Sequence, residues 1–121
     1  MTSMIPLHAK FAKRTADRRA AVLPRALEAL DGLERIGIRA WAIGSLARGK
    51  FHAQSDVDIA VDCDKAREKD AFTVIEKAMR GFPFHMVPCR RIKEDALAFM
   101  MEGALDASGL RSNATPTAGT P

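Results

Sequence analysis

Residues 44–61 read GSLARGKFHAQSDVDIAV, a stretch that joins a Gly-Ser turn to two aspartates one residue apart. Residues 38–43 before it are rich in branched and aromatic side chains and predict a strand that ends in the turn. Residues 57–61 predict a second strand. Because side chains alternate along a strand, Asp56 and Asp58 lie on the same face. Two ionised carboxylates side by side repel each other, so a bound cation would stabilise the pair.

Both ends of this stretch have the chemistry of a binding site. Asp56 and Asp58 supply the hard oxygen ligands that Mg²⁺ prefers. Gly44 lets the backbone approach a bulky anion closely, Ser45 adds a hydroxyl donor, and Arg48 adds a cationic side chain. The simplest ligand that satisfies an anion cradle followed by two carboxylates is a nucleoside triphosphate with its magnesium.

The spacing of these residues resembles a known family. Gly44-Ser45, ten residues, and then Asp56-Val57-Asp58 match the GS-x10-DxD signature of the minimal nucleotidyltransferases in the DNA polymerase beta superfamily. The details Ala47-Arg48-Gly49 and Ser55-Asp56 are also common in that group. The resemblance covers about residues 24–104, most of the chain.

The resemblance implies an α+β fold that is α/β-sandwich-like, with a small mixed sheet flanked by helices. It also implies transfer of a nucleoside monophosphate, usually AMP from ATP, to a hydroxyl group. Many members are similar to antitoxins that adenylylate a tyrosine of an all-helical HEPN toxin, so a protein partner is expected. The candidate nucleotide contacts are Gly44, Ser45, Arg48 and Ser55, and the expected ligands of two magnesium ions are Asp56 and Asp58.

One position departs from the family pattern. Members normally carry a third carboxylate on a later strand, in a pattern like Pro-Val-Asp-Leu-Val, whereas this chain reads Pro-Phe-His-Met-Val at residues 83–87. His85 therefore stands in place of the acid. Three roles are open for it: part of a weakened or rerouted site, a packing or hydrogen-bonding residue, or a catalytic base near neutral pH. The acids Glu94 and Asp95 are expected at a helix start, where they stabilise the dipole.

The 121-residue length predicts one domain, with a basic helical segment at residues 1–23, a nucleotidyltransferase domain at 24–105 and a disordered tail at 106–121. Pro24 predicts a break or kink in the first helix. Between His8 and Arg25 the chain carries six basic residues against one acid. This segment is interpreted as a solvated helix face, with nucleic-acid binding the less favoured alternative.

Composition restricts location and partners. No apolar run is long enough to cross a bilayer and no signal peptide is visible, so a cytoplasmic protein is predicted. Cys63 and Cys89 cannot form a disulfide framework and are interpreted as idle thiols. The small size favours a partner chain, including a second copy of itself. The leading hypothesis is an adenylyltransferase acting on a protein, and the alternative is a catalytically weakened or inactive module that binds nucleotide or a partner.

Overall fold

The computed structural model describes residues 7–114, and its centre is one three-stranded sheet. The strands are β1 (Arg39–Ile43), β2 (Val57–Asp62) and β3 (Phe84–Pro88), in that order across the sheet. β1 pairs antiparallel with β2, and β2 pairs parallel with β3. The mixed sheet with flanking helices confirms the predicted α+β class.

Helices surround the sheet and connect its strands. They are α1 (Leu7–Arg35), α2 (Gly44–Ala47), α3 (Glu68–Met79), α4 (Glu94–Met100) and α5 (Ala107–Ala114), with single 3₁₀ turns at Lys65–Arg67 and Cys89–Arg91. Within residues 7–114, none of these helices combines the length and the apolar character needed to cross a membrane.

The two faces of the sheet differ in how deeply they are covered. On one face Val57, Ile59 and Val61 join buried side chains of α1, α3 and α5 in the main core. On the opposite face a smaller cluster, centred on Ile43 and Ala60, packs against α4. Strand alternation places the aspartates of β2 on this second face. The candidate site therefore lies on the thinly covered side of the sheet.

α1 continues through Pro24, so the predicted break is absent. Proline removes one backbone hydrogen bond from a helix interior. Val22, Leu23 and Ala26 on either side are buried in the main core, and their packing holds both halves of the helix in line. The predicted boundary after residue 23 thus falls inside a single helix.

The predicted disordered tail needs correction for residues 107–114, which form α5. Leu105 exchanges two backbone hydrogen bonds with Ala42 of β1, at 2.8 and 3.0 Å, and so brings the chain back to the sheet. The Asp106 carboxylate then accepts a hydrogen bond from the Gly109 N–H at 2.8 Å, as a helix N-cap does. Leu110 is fully buried. Residues 1–6 and 115–121 lie outside the described residues.

Candidate functional site

The Gly-Ser turn and the aspartate pair meet where β1 ends beside β2. Ile43, the last residue of β1, is the sheet partner of Asp58. Gly44 follows with a φ of +69°, and a Cβ at this position would lie 2.7 Å from Asp58 Oδ2. Both the left-handed backbone and the close carboxylate therefore require a residue without a side chain. The two halves of the motif, which are ten residues apart in the sequence, are therefore in contact in the structure.

His85 lies directly across the sheet from Asp58. The two residues are register partners in the parallel β2–β3 pair. His85 Nδ1 is 3.1 Å from Asp58 Oδ1, and His85 Nε2 is 3.9 Å from Asp56 Oδ2. The shorter contact suits a hydrogen bond donated by the imidazole to the carboxylate. In that tautomer of the neutral ring, Nε2 retains its lone pair. The two aspartates and the histidine form one constellation.

This constellation is open to solvent. The side chain of His85 is 67% exposed, that of Asp56 41% and that of Asp58 33%. Such exposure keeps the electrostatic interactions of the apo site weak, because water screens them. It also leaves the carboxylates accessible to a large substrate.

Ser55, a candidate nucleotide contact, is buried in the loop that leads to Asp56. Its hydroxyl accepts a hydrogen bond from the His52 N–H at 3.0 Å, and its own N–H donates to the His52 carbonyl at 3.0 Å. These bonds close residues 52–55 into a turn. The hydroxyl is thereby engaged in shaping the loop, and a contact to nucleotide stays a prediction.

Arg48 is directed towards α4. Its guanidinium donates to the carbonyls of Phe99, at 3.3 Å, and Glu102, at 3.4 Å, and lies 5.8 Å from the centroid of the Phe99 ring. Ser45 in α2 is half-buried, and its carbonyl accepts from the Lys50 N–H at 2.8 Å. The structure therefore uses Arg48 to join α2 to α4, and a role at the phosphates stays a prediction.

Four further acids follow in the chain, and two of them are paired with an arginine. Asp62 and Asp64 both bind Arg90, with Asp62 accepting at 2.9 Å. The hydrogen bond to Asp62 raises the pKa of Arg90 above its usual value. Glu94 and Asp95 occupy the first turn of α4, as predicted. None of these four acids is a register partner of Asp58 in the sheet.

Among residues 7–114, no group of three or more histidine, cysteine, aspartate or glutamate side chains has the geometry to hold a metal ion. Asp56 and Asp58 still offer hard oxygen ligands on one open face, which fits a hydrated divalent cation that keeps several water ligands. The imidazole of His85 is a poorer ligand for magnesium than a carboxylate. The donor set thus fits Mg²⁺ through two carboxylates.

Sequence reasoning missed the contribution of α1 to the site. Thr15 and Arg18 contact the backbone of residues 53 and 55, across 38 and 37 positions of the chain. The available signal was their spacing of three residues, which puts them on one helix face. The sequence did not indicate that this face contacts the loop, because the segment is basic and a charged helix face is usually solvated.

The comparison with protein families matches a nucleotidyltransferase domain over residues 23–105. The matched segment is more than half of the chain and includes all three strands and the Asp56, Asp58 and His85 constellation. This chain belongs to the nucleotidyltransferase domain family. Comparisons with curated proteins and with solved structures find no match. Members of the family generally use a nucleoside triphosphate and a divalent metal, so nucleotidyl transfer is the activity class of this domain.

Proposed function

We propose that this nucleotidyltransferase domain transfers AMP from magnesium-bound ATP to a hydroxyl group of a protein partner. The observation that carries the proposal is the approach of Gly44 to Asp58, where a Cβ would lie 2.7 Å from the carboxylate oxygen. The turn is suited to bind phosphate, and the two carboxylates are suited to bind a metal ion. Because the two features are in contact, we expect them to bind one ligand that carries both phosphate and metal. A metal-bound nucleoside triphosphate is such a ligand.

Asp56 and Asp58 are the proposed ligands of Mg²⁺, and bound Mg²⁺ would neutralise charge on the triphosphate. Gly44 and Ser45 are the proposed contacts to the phosphates. The acceptor oxygen forms a bond to the α-phosphorus, and the bond from that phosphorus to the bridging oxygen breaks, so pyrophosphate leaves. His85 presents the Nε2 lone pair of its neutral ring as the candidate acceptor of the hydroxyl proton.

A protein acceptor is supported by the open surroundings of the site. His85 is 67% exposed, and Phe99 beside Arg48 is 69% exposed. An exposed aromatic side chain beside an open site is available to contact another chain. The resemblance to minimal nucleotidyltransferases suggests a HEPN-type toxin as the partner and a cytoplasmic location.

A second candidate function is a module that binds nucleotide or partner without turnover. The observation that favours it is the hydrogen bond between His85 and Asp58 at 3.1 Å. An imidazole replaces the third carboxylate of the family, and it also occupies one oxygen of a proposed metal ligand. Such a site would keep nucleotide affinity but transfer slowly.

The proposal is tested with labelled ATP, Mg²⁺ and a purified HEPN-type helical protein as the candidate acceptor. Asp58→Asn removes one proposed metal ligand at nearly constant shape, and we expect transfer to fall by at least about 100-fold. Asp62→Asn is the matched control on the same strand face, because Asp62 pairs with Arg90 and not with His85. The control is expected to retain transfer.

Equal labelling by wild type and Asp58→Asn would contradict the transferase proposal. Absence of labelling by wild type, with ATP binding that Asp58→Asn weakens, would favour the binding module. The binding measurement is equilibrium titration with ATP in the presence and absence of Mg²⁺.

A further inference from the structure

The N-terminal half of α1 packs against the loop that leads to Asp56. This half precedes residue 23, where the match to the nucleotidyltransferase family begins. Phe11, Thr15 and Arg18 are separated by four and three positions, so they lie on one face of the helix. All three contact residues 52–55. We call these three residues the α1 clamp.

Each member of the clamp contacts a different part of the loop. The Phe11 ring lies 6.3 Å from the ring of His52, measured between centroids. The Thr15 hydroxyl oxygen accepts a hydrogen bond from the Ala53 N–H at 3.3 Å. Arg18 Nη2 donates to the Ser55 carbonyl at 3.3 Å. The last contact involves the peptide group that joins Ser55 to Asp56, so the clamp reaches the backbone of a proposed metal ligand.

Arg18 also reaches the segment before β3. Its guanidinium lies 5.9 Å from the centroid of the Phe82 ring. Next to it, the Pro83 carbonyl accepts a hydrogen bond from the Val57 N–H at 3.4 Å, which joins the starts of β2 and β3. Arg18 thus lies between the two segments that deliver Asp58 and His85 to the site.

The burial of Arg18 shows that this position is not an ordinary surface arginine. Its Nε is buried and has no hydrogen-bond partner among residues 7–114. Burying a guanidinium N–H without a partner is unfavourable, since the group loses its hydration. The remaining contacts of Arg18, to Ser55 and Phe82, must hold it there against that cost.

We propose that the α1 clamp is a positioning element, which fixes the 52–55 loop and so sets the relative placement of Asp56 and Asp58 for metal-bound nucleotide. The inference rests on the proposed function, because it assigns metal binding to these aspartates. Phe11, Thr15 and Arg18 act through the loop and do not contact substrate. Outer residues that orient metal ligands have large effects on metal affinity when they are replaced.

The test compares Arg18→Met with Arg14→Met. Both variants remove one positive charge from α1 and substitute the same side chain, but Arg14 is exposed and lies outside the clamp. Mn²⁺ binding in the presence of ATP is followed by electron paramagnetic resonance, and hydrogen exchange is measured for the amides of residues 53–57. Arg18→Met is expected to weaken Mn²⁺ binding by about 10-fold or more and to speed loop exchange, with Arg14→Met like wild type.

Thr15→Val provides a milder variant that removes a single hydrogen bond, and it serves if Arg18→Met lacks a cooperative thermal transition. Arg18→Lys keeps the charge but loses the planar fork, so its Mn²⁺ affinity is expected between those of wild type and Arg18→Met. These two variants separate a positioning effect from general loss of folded protein.

A lower melting temperature with unchanged Mn²⁺ affinity in Arg18→Met and Thr15→Val would overturn the inference, since the clamp would then only stabilise the fold. Unchanged loop exchange would overturn it as well. Wild-type protein that binds no Mn²⁺ would instead overturn the proposed function and, with it, the placement role of the clamp.

Discussion

β2 and β3 are neighbouring parallel strands, yet they contribute to the site in different ways. Asp58 and His85 are register partners, so the two strands present one side chain each to the same place. β2 carries the acid that the family spacing predicts, whereas β3 carries an imidazole where that pattern has an acid. The two strands therefore share one geometry but supply different groups, a carboxylate from β2 and an imidazole from β3.

Packing explains why the two strands differ in their freedom to change. β2 is the central strand, and Asp58 faces Gly44 so closely that a single added carbon would collide with it. β3 is an edge strand, and His85 is 67% exposed. Many side chains fit an exposed edge position without strain. A substitution at residue 85 should therefore change the chemistry of the site with little effect on packing. A substitution at residue 44 or 58 should change both.

The largest loss of transfer is expected from Gly44→Ala, because Gly44 faces Asp58 of β2. The left-handed φ of +69° costs an alanine about 1–2 kcal/mol, and the new Cβ would displace the Asp58 carboxylate. A misplaced catalytic group loses about 100-fold in rate. Transfer from labelled ATP and the thermal unfolding midpoint measure the two effects separately.

Gly37→Ala is the control for backbone strain. Gly37 has a similar φ of +76°, and a Cβ there would meet no heavy atom within 4 Å. This variant is expected to lose a similar amount of stability and to keep its transfer activity. If both variants lost activity equally, the contact between Gly44 and Asp58 would have no role in the site.

A smaller effect is expected from His85→Asp on the β3 side, which restores the acid of the family pattern. A carboxylate at this position can also accept the hydroxyl proton and is a better magnesium ligand than imidazole, so transfer is expected to rise by about 10-fold. The melting temperature should also rise more with Mg²⁺ than it does in wild type, because bound ligand stabilises the folded state.

His85→Asn provides the matched comparison, since it removes the imidazole without adding a carboxylate. A gain in His85→Asp that His85→Asn lacks would identify a weakened ancestral metal site. A loss of transfer in both variants would contradict the expectation and show that the imidazole of His85 is required as the proton acceptor, which a carboxylate does not replace.

The resemblance to the family placed His85 at the position of its third carboxylate, whereas local spacing in the sequence predicted the strands and the turn. These features follow from short-range patterns, namely strand alternation and glycine in a tight turn. The tail was different. Its small polar residues indicated disorder at 107–114, but one residue, Leu110, packs in the core, and Asp106 caps the helix. Composition averages over a segment and so misses single anchoring residues.

Side-chain direction was the second limit of the sequence. The sequence does not predict that Arg48 donates to carbonyls at the end of α4, more than fifty positions along the chain, and its role at the phosphates stays a prediction. The sequence also does not predict that the Ser55 hydroxyl bonds within its own loop, and its contact to nucleotide stays a prediction. Long-range contacts decide where such flexible or small polar groups point, and spacing along the chain does not encode them.

The smallest effect is expected on the reactivity of two cysteines at the far ends of β2 and β3. These two strand ends are similar, because a buried cysteine follows each strand. Cys63 follows β2 and Cys89 follows β3, and both thiols are buried. Burial raises the pKa of each thiol, so less thiolate forms at neutral pH than in an exposed cysteine. Both should react slowly with a disulfide reagent, and faster as pH rises. His85→Asp should leave these rates unchanged if it alters chemistry at constant fold, whereas faster labelling would show that residue 85 also supports strand packing.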